Sequence, residues 1–220
     1  MWLIDNKLHR THISKITHVD IANFFAYLSI ERKISKKSLH EYKHLFKTTS
    51  NYFMKIGLIK VNPFDNLPKY KSHPRKPQII PDAYLKIIKE YFLEHDPQMW
   101  TVCQFIFYCF IRPKELRFVK IKDIDFVSGY ITIDGDFAKN DKTQSVIIPD
   151  YFLNYLIDCG YHKKDRNDYL FVSKDSKNIQ PVGRNYFANQ FRKMRKETEL
   201  NLDIKFYSFK HTGGVKLLQY

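Results

Sequence analysis

Apolar residues recur at helical spacing through the first part of the chain. Ile21, Phe24, Phe25 and Leu28 follow the i, i+3, i+4, i+7 rule, which predicts a helix with one buried face. The preceding Thr17-His18-Val19-Asp20 reads as a capping box that starts it. A second helix is predicted from Ser35, its N-cap, through Leu39, Tyr42, Leu45, Phe46, Phe53 and Ile56, with Gly57 at its exit. Asn62-Pro63 closes this segment, because a residue before proline avoids the α region. Beyond residue 80 the pattern becomes mixed. Asp82 opens a predicted helix that uses Tyr84, Leu85, Ile88 and Phe92, and residues 99–110 are apolar nearly all round, as in a helix at the centre of a core. Residues 130–133 and 145–148 read as strands joined by the polar segment 134–144. Residues 151–157 predict a helix, and 169–172 a short strand or buried extended segment. Residues 184–197 predict a helix with Phe187, Phe191 and Met194 inward and Arg192, Lys193, Arg195 and Lys196 largely outward. A last helix is expected to carry Tyr207, Lys210 and His211, with Ser208 as its N-cap. The expected fold class is mainly α with a small β-sheet, an α+β arrangement.

Residues 66–80 contain three prolines and four Lys/Arg, which predicts an extended basic connector. The expected organisation is therefore a helical domain over 1–65, a linker over 66–80, and a mixed domain over 81–220. Such a connector lies along a phosphate backbone or is a plain solvated tether; composition fits both.

Charge points to a partner. The chain of 220 residues carries a formal +14. Residues 1–80 hold fifteen Lys/Arg against five Asp/Glu, a balance of +10, and the remaining 140 contribute +4. That asymmetry suggests a polyanion, of which nucleic acid is the usual one. Hydrophobic content of 44% with seven glycines argues for a folded protein. Cys103, Cys109 and Cys159 lack metal-ligand spacing; an odd count without a signal segment fits a reducing cytoplasm, the expected location. No apolar run is long enough to span a bilayer.

The candidate chemistry lies in three places. Arg112 precedes Pro113 at an expected helix start, where guanidinium donors add to the positive end of the helix, and Glu115 sits one turn on to hold it. An i,i+3 pair of this type is equally a local surface ion pair. Lys139 and Lys142 lie between the two predicted strands. Tyr207, Lys210 and His211 offer a hydroxyl, a cation and a neutral-pH donor on one short segment, a mix suited to phosphoryl transfer. For DNA contact the candidates are Lys36, Lys37, Lys43 and Lys47, off the apolar stripe of the second helix, and Lys69, Lys71, Arg75 and Lys76 in the connector. His9 with His12, and His40 with His44, have the spacing to face the same way on a helix, but lack the context of a metal site. Neither a metal nor a nucleotide cofactor is expected.

The order of these features resembles the tyrosine recombinases, the phage-type integrases. A basic helical domain, a linker, a buried helix running into Arg112-Pro113-Lys114-Glu115-Leu116, Asp123-Ile124-Asp125, a lysine-bearing hairpin and Tyr207-Ser208-Phe209-Lys210-His211-Thr212 cover nearly the whole chain. The resemblance implies a core-binding domain and a catalytic domain that clamp a DNA duplex. It implies cleavage without metal or ATP, in which a tyrosine attacks a phosphodiester to give a 3′-phosphotyrosyl intermediate and a free 5′ hydroxyl, followed by rejoining. By position, Arg112 is implied to bind the scissile phosphate, and Lys139, or alternatively Lys142, to protonate the leaving 5′ oxygen. Tyr207 falls where histidine or lysine is usual and Lys210 where a second arginine is usual, while His211 takes a more structural place. Lysine at 210 keeps the charge but loses the bidentate fork. The family's tyrosine nucleophile lies several helical turns beyond this box and is not assigned to Tyr220. The expectation is thus a C-terminally truncated chain that binds duplex DNA without cleaving it, its self-association on DNA belonging to the complete protein. A DNA-binding regulator that never cleaves, and an RNA-binding accessory protein, are the competing readings.

Overall fold

The computed structural model of the protein describes residues 2–71, 76–173, 180–200 and 203–219. They form two compact units, residues 1–75 and 76–220.

The first unit carries α1 (Trp2–Asp5), α2 (His18–Ile30) and α3 (Lys36–Lys55). The capping box starts α2 as expected: the Asp20 N–H donates to the Thr17 hydroxyl at 3.2 Å, and the Thr17 N–H to the Asp20 carboxylate at 2.8 Å. Ser35 caps α3 by accepting from the Ser38 N–H at 3.2 Å, and the chain leaves α3 through Gly57 at φ 76. Ile21, Phe25, Leu39, Phe64 and Leu67 form the small core, with Phe24 and Leu28 half-covered around it. The stripe read on α3 is only partly buried. Leu39 is inside, but Tyr42, Leu45, Phe46 and Ile56 stay exposed, because α2 and residues 64–70 cover only part of the helix. After α3 the chain folds back on it. The buried Asn62 amide donates to the Lys47 carbonyl at 3.0 Å and to Asn51 Oδ1 at 2.6 Å, and its own Oδ1 accepts from the Phe64 N–H at 2.9 Å. The proline-containing stretch read as a connector is therefore packed at both ends: Leu67 and Tyr70 join the first core, and Ile80 the second.

The second unit is built around α5 (Pro97–Tyr108), apolar nearly all round as predicted but ending two residues before Phe110, with Met99, Val102, Cys103, Phe105 and Ile106 buried beside Thr101 and Gln104. Packed with it are α4 (Asp82–His95), α6 (Pro113–Leu116), α7 (Asp150–Asp158), α8 (Tyr186–Glu197) and α9 (Ser208–Leu217). The sheet is antiparallel, in the order β1 (Ile124–Asp125), β2 (Tyr130–Ile133), β3 (Gln144–Ile147). Ile131 pairs with Ile124 on one side and with Val146 on the other. The strand or extended segment expected at 169–172 is reduced to an isolated antiparallel bridge between Tyr169 and Lys120; the chain bends at Leu170 and Phe171, and both are buried. Together this is the α+β class expected. Among the described residues no helix is long and apolar enough to cross a membrane.

Two local expectations are corrected. Ser208 does not cap α9; it is the first helical residue, and its hydroxyl accepts instead from the Lys205 N–H at 3.1 Å in the preceding turn. Arg195 does not point outward. Its guanidinium donates to the Ile204 carbonyl at 2.7 Å, because the chain returns beneath α8 and presents that oxygen.

The approach of α9 to α5 fixes the position of the final box. At Gly213 a Cβ would lie 2.0 Å from the Phe107 carbonyl oxygen, so only glycine allows this crossing. Next to it, the Thr212 hydroxyl accepts from the Ile80 N–H at 2.9 Å and donates to the Ser208 carbonyl at 2.8 Å.

Candidate functional site

Where α5 ends, Phe110 takes a left-handed conformation at φ 54, uncommon for a bulky residue. This turn brings Arg112 to the N-cap of α6, with Pro113 in the first helical position, where a missing N–H costs nothing. Glu115 then organises the start of the helix. Its carboxylate accepts from the Arg112 N–H at 2.9 Å and from the guanidinium at 3.1 Å. A third bond comes from outside the helix: the Lys139 N–H donates to Oε1 at 3.3 Å. The Glu115 side chain is 2% exposed and that of Arg112 36%, so a buried anion holds a cation whose far edge remains open. Three donors on one carboxylate offset its desolvation.

Lys210 enters from α9. Its ammonium donates to the Phe110 carbonyl at 2.6 Å, the carbonyl that the left-handed turn presents. Burial pulls its pKa below the usual lysine value; the Arg112 guanidinium pulls it further, and Glu115 opposes both. The ammonium lies 5.9 Å from the centre of the Tyr207 ring, and the Tyr207 and His211 rings meet edge-on at 5.5 Å. Tyr207 is exposed and His211 half-buried.

The structure thus gathers Arg112, the backbone of Lys139 and Lys210 about Glu115, with Tyr207 beside Lys210 and His211 against the Tyr207 ring. The side chains of Lys139 and Lys142 are both exposed. The backbone bond from residue 139 to Glu115 roots Lys139 at the site, and no corresponding bond was found for Lys142 among the described residues. Sequence reasoning found the Arg112–Glu115 spacing. It missed the Phe110 carbonyl and the Lys139 link, which depend on a backbone turn and a long-range contact that no local pattern encodes.

The lysines of the first unit divide into two groups. Lys36, Lys37, Lys69 and Lys71 are exposed, with Lys37 4.0 Å from Glu41. Lys43 and Lys47, read as facing solvent or phosphate, are engaged within the unit because residues 64–70 return alongside α3. The Lys43 ammonium donates to the Leu67 carbonyl and, at 3.4 Å, to that of Pro68. Lys47 pairs with Asp65 at 2.8 Å. Both still border a cleft of about 590 Å³ lined by His40, Lys43, His44, Lys47, Lys69, Tyr70 and Lys71. Lys76 is exposed in the second unit, and Arg75 lies outside the described residues. Among the described residues there is no group of three or more His, Cys, Asp or Glu placed to hold a metal ion.

Comparison with known proteins gives this geometry its context. Residues 83–220 match the model of the phage integrase family. A tyrosine recombinase of Pseudothermotoga lettingae is 22% identical over 224 aligned residues, which cover 99% of this chain and 73% of that protein. Among solved structures, the Tn1549 transposon integrase in complex with transposon right-end DNA superposes with a TM-score of 0.77 at 15% identity, covering 99% of this chain and 78% of that one. A lambda integrase dimer bound to a COC′ core site gives 0.73 at 17% identity, covering 96% and 77%.

Proposed function

The chain belongs to the phage integrase family, the tyrosine recombinases, and from that premise we propose that it binds duplex DNA and grips the phosphate at which strand exchange occurs. The carrying observation is the convergence of two cations: Arg112, held by the buried Glu115 with its far edge open, and Lys210, anchored on the Phe110 carbonyl two residues before Arg112. Two cations share a partly buried site, and one depresses the proton affinity of the other. Glu115 answers one of the two charges. A phosphate between them supplies the missing negative charge and relieves the repulsion.

In this reading Arg112 binds a non-bridging oxygen of the scissile phosphate, oriented by Glu115. Lys210 supplies the second cation as a single point charge instead of a fork. The Tyr207 hydroxyl donates to the phosphate, and His211 packs behind it. Lys139 gives its proton to the 5′ oxygen as the phosphorus–oxygen bond breaks, so the leaving strand departs as a neutral hydroxyl. The nucleophile is a tyrosine other than Tyr207. Lys36, Lys37, Lys69, Lys71 and Lys76 hold the flanking backbone, with Lys43 and Lys47 adding to the field from their anchored positions. Self-association on DNA belongs to this proposal as well, since lambda integrase is known as a dimer on its core site.

The test is equilibrium binding to a labelled duplex over a range of salt. Duplex DNA is expected to bind with an affinity that falls linearly with the logarithm of salt concentration. Arg112→Ala should shallow that slope by about 1, the contribution of one phosphate contact, when measured at a temperature where the variant is folded, since Glu115 loses one of its three donors. Preference for single-stranded RNA, or a salt slope unaffected by loss of Arg112, contradicts the reading.

A further inference from the structure

His40 and His44 sit one turn apart on α3, so their side chains share a face. Both are exposed, and both line the lysine-rich cleft of the first unit. The anchored lysines make this pair matter. The Lys43 ammonium is held by the Leu67 and Pro68 carbonyls, and the Lys47 charge is answered by Asp65. Of the cleft's six basic side chains among the described residues, Lys69, Lys71 and the two imidazoles therefore remain to meet an incoming anion. Among the described residues, the only titratable side chain lining the cleft besides the lysines and the two histidines is Tyr70. The nearby carboxylates on the same elements are already placed: Asp65 on Lys47, and Glu41, on α3, 4.0 Å from Lys37.

We propose that this cleft is a seat for the DNA backbone in which His40 and His44 are phosphate contacts that engage only when protonated, so that DNA binding by the first unit takes up protons. The proposal rests on the reading of duplex DNA as the partner. Its physics is linkage. Histidine is the side chain whose charge ordinarily changes near neutral pH. A phosphate seated against the two rings favours the imidazolium over the imidazole, and it also answers the neighbouring lysines, whose like charge opposes protonation. Proton and phosphate therefore bind cooperatively, and each helps the other by the same factor. With both imidazoles protonated the seat has two more cations than with both neutral. The number of counterions released on binding then depends on pH, which a fixed set of lysines cannot produce.

The experiment measures anisotropy of a short mixed-sequence duplex with the full chain, across salt, at about pH 6 and about pH 8. The slope of log K against log salt should steepen at the lower pH by about 1 to 2, close to 0.9 for each imidazolium recruited. His40→Gln/His44→Gln should show one slope at both values, matching that of the unsubstituted chain at the higher pH. His40→Lys/His44→Lys should be steep at both. His9→Gln/His12→Gln should keep the pH dependence. A pH-independent slope in the unsubstituted chain overturns the proposal, as does a pH dependence that survives in the double glutamine variant. A flat slope with tight duplex binding removes this inference alone. Absence of duplex binding at either pH removes the DNA reading with it.

Discussion

At the scale of single residues the site is defined by Glu115 and by lysine at 210. Glu115 accepts from two elements at once, the first turn of α6 and the backbone of residue 139. Glu115→Gln keeps the shape but turns one oxygen into a donor facing donors. It should lower stability by about 1–3 kcal/mol, read from denaturant unfolding, because a buried hydrogen-bonding group is left unmatched. It should also release Arg112 and weaken duplex binding. Lys210 makes a separate prediction about pH. Its pKa in the folded protein is lowered, by burial first and by Arg112 second. The folded state therefore sheds this proton at a lower pH than the unfolded chain does. Its destabilising effect is present in full below the lowered folded pKa. It is relieved as pH rises from there to the ordinary lysine value, because the unfolded state binds more protons throughout that window. Unfolding midpoints of the unsubstituted chain and of Lys210→Met, compared across the alkaline range, should diverge in favour of lysine as pH rises. Parallel curves would mean that Arg112 and burial do not act on this amine.

At the scale of elements the decisive contact is the crossing of α5 and α9. It sets Lys210 against the Phe110 carbonyl and so joins the two halves of the site. Gly213→Ala places a methyl carbon against the Phe107 carbonyl, 2.0 Å away, and backbone cannot yield as a side chain would. The helices must separate, at a cost of about 1–3 kcal/mol or more from overpacking. Its neighbour is the control. At Gly214 the nearest atom to a new Cβ is the Phe110 Cε1 at 3.8 Å, so Gly214→Ala should be neutral or stabilising by up to about 1 kcal/mol through helix propensity. Thermal unfolding of the two variants should therefore move in opposite directions. Why one of two adjacent glycines matters was not legible in the sequence, since the obstacle is the backbone of a helix about a hundred residues earlier. What was legible had a local cause. The Thr17–Asp20 box, the Ser35 cap and the Gly57 exit each satisfy backbone groups within a few residues. The strand at 130–133 showed as a β-rich run bounded by turn residues. By contrast β1, two residues long, is too short to show any period. The apolar stripe of α3 indicated which face was apolar, but not whether another element would cover it. In the site, the Arg112–Glu115 pair followed from helical spacing, whereas the Lys139 and Phe110 links come from tertiary structure alone.

At the scale of the whole molecule the question is whether DNA affinity follows from net charge or from placed contacts. A chain of formal charge +14 attracts any polyanion from a distance. At physiological salt that attraction is screened within about 8 Å, so exposed lysines far from the duplex add little. Lys69 and Lys71 border the cleft of the first unit, and Lys86 and Lys89 are exposed on α4 of the second. The paired variants Lys69→Gln/Lys71→Gln and Lys86→Gln/Lys89→Gln remove the same charge from the same total. If net charge governs binding, both lose affinity equally at low salt and neither changes the salt slope by a whole contact. If the cleft is the seat of the backbone, the first pair shallows the slope by about 2, near 0.9 per lysine, and weakens binding on duplexes of every sequence. The second pair then leaves the slope within error of the unsubstituted chain. The prediction is the unequal outcome. Salt titrations of the two variants on one duplex decide it, because counterion release counts the cations that touch phosphate and is indifferent to those that merely contribute to the field.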